Sequence, residues 1–225
     1  MKREEIVLLC KKFEISKYSV NEDGTVDVYG CVDLSNKNLT QIPLKFNIVG
    51  GNFDCSNNKL TSLLGAPTVV FGTFDCSHNE LQSLVGVSKK VFLDFDCSHN
   101  KLTTLSNGPA TVRFNYNCSH NNLTDLGGLS KVITKGIFDE FNCSFNALTT
   151  IKGYPKGLTK IDCSNNQLSE LDDCAKYVHG EFNCKNNPNL TARIFRKTKF
   201  SKIVCDQRIL VQKNNEQIVG QIIWP

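Results

Sequence analysis

The run Asp75-Cys76-Ser77-His78 puts a carboxylate, two nucleophile types and an imidazole base within four residues, the inventory that group transfer requires. The same text returns at Asp96-Cys97-Ser98-His99 and, altered, at Asn117-Cys118-Ser119-His120. A catalytic constellation is single, whereas text repeated at a fixed interval is structural. The chain also has no Gly-Lys-Thr phosphate loop, no close Cys-x-x-Cys pair, no His-Glu-x-x-His and no Gly-x-Ser-x-Gly. The expectation is a protein that is not an enzyme, with no catalytic residue and no cofactor.

Metal and redox chemistry are the next candidates. His78, His99 and His120 hold one position in successive copies, so stacking the copies sets them in a column about 5 Å apart. Imidazoles so placed could hold zinc or copper. No neighbouring carboxylate or thiolate completes a tetrahedral set, and the favoured reading is an exposed Asn position that carries His, with no metal site. Of the 11 cysteines, most follow the repeat rather than a pairing, and the odd count argues against a disulfide framework. Side chains on adjacent copies run parallel, which keeps sulfurs apart, so the cysteines read as small buried hydrophobes and inert thiols.

Charge is unevenly placed. Between Thr191 and Lys213 stand Arg193, Arg196, Lys197, Lys199, Lys202, Arg208 and Lys213 against Asp206 alone. Such a cluster attracts nucleic acid. With no aromatic platform beside it, a solvated basic cap is the preferred account and nucleic-acid contact through Arg193, Arg196, Lys197, Lys199 and Lys202 the alternative.

The repeat itself has to position all of these groups. Taking Leu34 as the first anchor, Cys55, Cys76, Cys97, Cys118, Cys143, Cys163 and Cys184 follow at 21, 21, 21, 21, 25, 20 and 21 residues, with Cys205 a further 21 on. Independent core packing gives no reason for such regularity, so the chain is a solenoid. Phe53 and Cys55 alternate with polar Asn52, Asp54 and Ser56, the period-2 signature of a strand with one buried face. Stacked coils lay these strands side by side in a parallel sheet about 4.7–4.9 Å apart. Leu60 and Leu63, repeated as Leu81 and Leu84, Leu102 and Leu105, Leu123 and Leu126, Leu148 and Ile151, and Leu168 and Leu171, turn back into the core. Three residues after each cysteine stands Asn58, Asn79, Asn100, Asn121, Asn146, Asn166 or Asn187, whose amides can satisfy the backbone where the strand ends.

These residues resemble the leucine-rich-repeat family: Phe92 to Leu102 matches its L-x-x-L-x-L-x-x-N/C-x-L consensus, with Phe and Cys replacing some leucines. The resemblance covers roughly Val32 to Leu190 and is nearest to the short bacterial and bacteriophage type, with Gly65-Ala66-Pro67 after the second leucine, Asn21 to Gly24 near the start and Asp33 to Asn36 opening the first copy. It implies a curved parallel sheet whose concave face binds another protein, and a bacteriophage setting. Lys37 stands where the first copy lacks its asparagine, and the 25-residue step implies a bulge near Lys135 and Gly136.

In such a fold the strand positions beside each cysteine face the concave surface: Asp33, Asp54, Asp75, Asp96, Asn117, Asn142, Asp162 and Asn183 on one side, Ser56, Ser77, Ser98, Ser119, Ser144 and Ser164 on the other. Stacked carboxylates repel, a cost that a basic partner relieves. Phe145 interrupts the His and Asn column as an exposed aromatic anchor. The partner-binding set is therefore Asp54, Asp75, Asp96, Asp162, His78, His99, His120 and Phe145. A host or cellular protein is the expected partner; nucleic acid and a structural role in a virion are the alternatives.

Twenty to 21 residues per coil leave no room for a convex helix, and Pro67, Pro109 and Pro155 favour extended or 3₁₀ backbone there. The ends read as caps. Residues 1–30 form a short amphipathic helix, Arg3 to Phe13, and a hairpin from Tyr18-Ser19-Val20 and Thr25 to Tyr29; residues 31–190 hold about eight coils; residues 191–225 form a basic cap, with Ile203-Val204-Cys205 in phase and a closing strand pair from Ile209 to Val211 and Ile218 to Ile223. Ile222-Ile223-Trp224 reads as cap core. Ile6 to Cys10 is too short for a secretory or spanning segment, so the chain is expected in a cytoplasm, the host's if it is of phage origin, and away from membranes.

Overall fold

The computed structural model describes residues 1–129, 139–153, 158–169, 171, 177–190, 199–206 and 221–223. It is a parallel β-solenoid with few helices, the architecture that the leucine-rich-repeat resemblance implies. Helix α1 (Arg3–Lys12) leads into the hairpin β1 (Tyr18–Val20) and β2 (Val26–Val28), after which short strands alternate between two sheets over the first coils and then fall in one sheet alone. One sheet has ten strands: β3 (Val32–Asp33), β5 (Phe53–Asp54), β7 (Phe74–Asp75), β9 (Phe95–Asp96), β10 (Asn115–Asn117), β11 (Glu140–Asn142), β12 (Lys160–Asp162), β13 (Tyr177–Asn183), β14 (Lys199–Val204) and β15 (Gln221–Ile223), neighbours in that order and all parallel. Register follows the sequence repeat: Asp33 lies beside Asp54, Asp54 beside Asp75, and Asp75 beside Asp96.

The second sheet joins the cap to the backs of the coils. Strands β4 (Phe46–Val49), β6 (Val69–Val70) and β8 (Lys90–Val91) extend the hairpin in the order β1, β2, β4, β6, β8. The backbone on this side is extended, one of the two conformations expected. No 3₁₀ turn occurs among the described residues, and the extended segments pair with one another, because their valines at Val49, Val70 and Val91 fill the core from the side opposite the cysteine strands.

Between the sheets lie columns of like residues. Phe53, Phe74, Phe95, Tyr116 and Phe141 stack coil upon coil with ring centroids 5.0–5.8 Å apart. The leucine pairs are buried beside them, each worth about 1.5–3 kcal/mol against exposure. At the N-terminal end Ile6, Cys10 and Phe13 of the cap close the same core, and Glu5 accepts a hydrogen bond from the Lys2 backbone at 2.9 Å to start the helix.

The asparagine ladder is present. Asn100 Oδ1 accepts from Leu81 N at 2.9 Å, while its Nδ2 donates to the carbonyls of Cys76, Cys97 and Ser98 at 3.0, 3.2 and 3.1 Å. Asn79, Asn121, Asn146, Asn166 and Asn187 repeat the pattern. Asn58 differs in accepting from both Lys37 N and Leu39 N, since the first coil has no asparagine of its own to share the task.

The repeat cysteines are buried and reduced, and their thiols donate to the next strand, as from Cys76 Sγ to Asp96 O at 3.3 Å. Cys31 corrects the general expectation: it is exposed, lying outside the repeat phase. Strand β15 pairs parallel with β14, but the proposed partner strand Ile209 to Val211 lies outside the described residues, as do Lys135, Gly136, Pro155, Cys174 and Trp224.

Candidate functional site

The outer face of the ten-stranded sheet is built by three columns. The first is Asp33, Asp54, Asp75, Asp96, Asn117, Asn142, Asp162 and Asn183, one residue from each of eight consecutive strands. Each described aspartate turns one oxygen back along the chain: Oδ1 of Asp54, Asp75, Asp96 and Asp162 accepts from the backbone N of Ser56, Ser77, Ser98 and Ser164 at 2.8–2.9 Å. This Asx turn ends the strand. Asp96 Oδ2 accepts from Asn117 at 2.9 Å and Asp162 Oδ2 from Asn183 at 3.0 Å, so those two charges are relieved by amides.

Asp75 has carboxylates on both sides. Burial, reinforced by the charges of Asp96 and Asp54, holds its carboxyl above the usual carboxylate range against the hydrogen bonds from Ser77 that favour ionisation.

The second column holds the rings. His78, His99, His120 and Phe145 all adopt positive φ, close to 52°, as do Asn57, Asn165 and Asn186 at the same position. The left-handed turn explains the text at this site, since Asn and His tolerate that region better than most residues. It also stacks the rings: His78 on His99 and His99 on His120 with centroids 4.0 Å apart, and His120 on Phe145 at 4.2 Å, planes within 11° of parallel. The spacing is closer than the expected 5 Å, because the rings tilt into face contact. Burial, then the neighbouring His120 and His78, lowers the pKa of His99, with Asp96 opposing. Parallel rings also point their lone pairs in parallel, a poor start for chelation, and among the described residues no group of three or more His, Cys, Asp or Glu is disposed to hold a metal ion.

Ser56, Ser77, Ser98, Ser119, Ser144 and Ser164 stand beside this column but are buried rather than exposed. Their hydroxyls are taken up along the face: Ser144 donates to Asn142 Oδ1 at 2.7 Å and Ser164 to Asp162 Oδ1 at 2.6 Å, and Ser56 accepts from Asn57 Nδ2 at 3.1 Å.

The third column, two residues before the first, was not anticipated. It runs Asp94, Asn115, Glu140, Lys160, Glu181 and Lys202, alternating in charge from Glu140 onward: Asn115 Nδ2 donates to Asp94 at 2.8 Å, Lys160 Nζ meets Glu140 at 3.0 Å, and Lys202 pairs with Glu181. The Glu140 hydrogen bond raises the Lys160 pKa. Lys202 is therefore committed on the sheet face and is not a free member of a basic cluster. Lys199 lies in β14, and Arg193, Arg196 and Lys197 fall outside the described residues. In the sequence the clue was Glu and Lys exchanging at steps of 20 to 21.

The structure thus brings Asp54, Asp75, Asp96, Asp162, His78, His99, His120 and Phe145 onto one surface, carboxylates in one row and rings in the next. Phe145 is 48% exposed. Among the described residues no helix is long and apolar enough to cross a membrane.

No family model matches this chain, and no curated protein does. Among solved structures, YopM from Yersinia enterocolitica WA-314 aligns over 88% of this chain with 17% identity and a TM-score of 0.43. This chain spans about half of that one, 51% of its length, and a likeness so distant carries no inference about what the protein does.

Proposed function

We propose that this chain is a protein-binding repeat module, of the bacterial or bacteriophage kind, that engages a host or cellular protein in the cytoplasm through the outer face of its ten-stranded sheet. The reading includes a cap at residues 1–30, repeats at 31–190 and a second cap at 191–225, and assigns no catalysis. One observation carries it: the carboxylates Asp54, Asp75 and Asp96 stand in register with no cation between them, beside a continuous stack of His78, His99, His120 and Phe145. A row of carboxylates that no cation faces, next to an exposed ring, suits a partner that brings basic side chains and an apolar contact.

The test is capture from a bacterial lysate, comparing the wild-type chain with a Phe145→Ala, Asp96→Lys variant whose melting midpoint is checked first. Loss of a specific protein with the variant is the expected result. Identical capture by both chains would remove this face from consideration. Nucleic-acid binding through Arg193, Arg196, Lys197, Lys199 and Lys202 is not favoured, because the Lys202 ammonium is paired with Glu181. Neither it nor a virion role gains support from a described contact.

A further inference from the structure

A second surface, on the outer side of the five-stranded sheet, has no part in the reading above. Tyr29, Gly50, Phe71 and Phe92 follow one another at 21-residue steps. Backbone bonds set the last three on consecutive rungs: Gly50 N donates to Val28 O at 2.8 Å, Phe71 N to Val49 O at 2.9 Å and Phe92 N to Val70 O at 3.0 Å. The rings of Phe71 and Phe92 stack, centroids 4.9 Å apart and planes 7° from parallel.

Gly50 leaves one rung of this ladder without a side chain. With coils about 4.8 Å apart, the rungs of Tyr29 and Phe71 are separated by about 10 Å, and a flat ring over Gly50 would rest against the exposed face of Phe71. The bounding residues are open to solvent, Tyr29 at 68% and Phe71 at 51% exposure. The Tyr29 hydroxyl lies 3.1 Å from the Ser19 hydroxyl, which draws its ring toward β1 and away from the vacant rung.

Charge continues the pattern at the other end. Lys89 and Lys90 precede Phe92 on its own coil and Arg113 lies on the next; all three are exposed, and none is in an ion pair among the described residues. From Gly50 to Arg113 is three coils, about 14 Å. A rung without a side chain, followed by two stacked phenylalanines and then unpaired cations, matches a chain that carries flat rings and regular negative charge together.

We propose that this column binds single-stranded nucleic acid, one base entering the rung over Gly50 and the next few nucleotides running across Phe71 and Phe92 toward Lys90 and Arg113. Ring contact holds the bases without selecting among them, and the cations hold phosphates. The site is separate from the carboxylate face.

The experiment is fluorescence anisotropy of a labelled oligothymidine and an oligouridine with the full chain over a salt series. Comparisons are an abasic oligomer of the same length, anionic phospholipid vesicles, and the variants Phe71→Ala and Lys89→Glu, Lys90→Glu, Arg113→Glu. The expected result is binding that weakens with salt, falls roughly 5- to 150-fold in Phe71→Ala as one base–ring contact is lost, and is weaker still for the abasic oligomer. Phe71 is exposed, so its truncation leaves the core intact, and a thermal melt confirms that each variant is folded. Equal affinity for base-bearing and abasic oligomers, equal affinity in Phe71→Ala, or binding to vesicles but not to oligonucleotides would overturn the proposal.

Discussion

Replacing Asn100 by alanine tests the ladder that joins one coil to the next. Asn100 is buried and makes four hydrogen bonds, but they are not equally costly to lose. Its three carbonyl partners each keep another donor: Cys76 O retains Asn79 Nδ2, Cys97 O retains Asn121 Nδ2, and Ser98 O retains His78 N. Leu81 N loses its acceptor in a site closed to solvent. The cost therefore centres on one orphaned amide, about 1–3 kcal/mol, with a smaller contribution from the thinned carbonyl contacts. For a chain of this length about 2 kcal/mol corresponds to a fall of roughly 4–8 °C in melting midpoint. Asn100→Asp sharpens the test, because its carboxylate still accepts from Leu81 N but faces three carbonyl oxygens it cannot donate to. It should be worse than alanine at neutral pH and recover in acid, where the protonated acid can donate one bond. Thermal and urea melts followed by far-ultraviolet circular dichroism, with the exposed Asn122→Ala as control, give the comparison. If Asn100→Ala melts with Asn122→Ala, the amides decorate the turns without holding them, and the account of coil-to-coil cohesion is wrong.

Asp75 makes stability depend on pH. Its native carboxyl keeps a proton above the unfolded value near 3.8, so the folded chain binds more protons than the unfolded one just above that pH, and this contribution to stability fades as pH rises. Asp75→Asn, which places the same amide found at Asn117, should gain stability over wild type progressively from acid to neutral pH in urea melts; parallel curves would refute the cause assigned. Gly72→Ala should destabilise by about 1–3 kcal/mol, because its Cβ would collide with Asn52 Oδ1 and stand 2.7 Å from the Gly51 and Asn52 backbone, whereas Gly30→Ala meets nothing within 4 Å and should be silent in the same melt. A thiol-specific colour reagent should modify Cys31 promptly in the native chain and leave Cys55, Cys76, Cys97 and Cys118 untouched until unfolding, since burial raises these thiols well above the ordinary range; prompt titration of the whole set would contradict the packing.

Much of the fold was legible in the residues because the repeat spells out its interior. A cysteine, an asparagine three positions later and two leucines recur on one period, and all are buried except the half-buried Asn58 and Asn146. Of the candidate face, the aspartates, the histidines and Phe145 were found, and the serines beside them proved buried rather than exposed. Alternation gives sidedness but not exposure, and these hydroxyls are taken up by neighbouring carboxylates and amides, as Ser164 by Asp162 and Ser56 by Asn57.

The one-dimensional text therefore determined the period, the parallel sheet and the columns that fill it, since a buried position requires a particular size and polarity in every coil. It could not determine what each exposed residue meets, because that neighbour lies about 21 residues away and depends on how the coils come into register. Only the tertiary structure paired the backs of the coils into a second sheet, set Glu140 against Lys160 and Glu181 against Lys202, brought three imidazoles and Phe145 into face contact, and left the rung at Gly50 empty between Tyr29 and Phe71. Surface side chains have no burial to fix their type, so their chemistry arises from adjacency across coils.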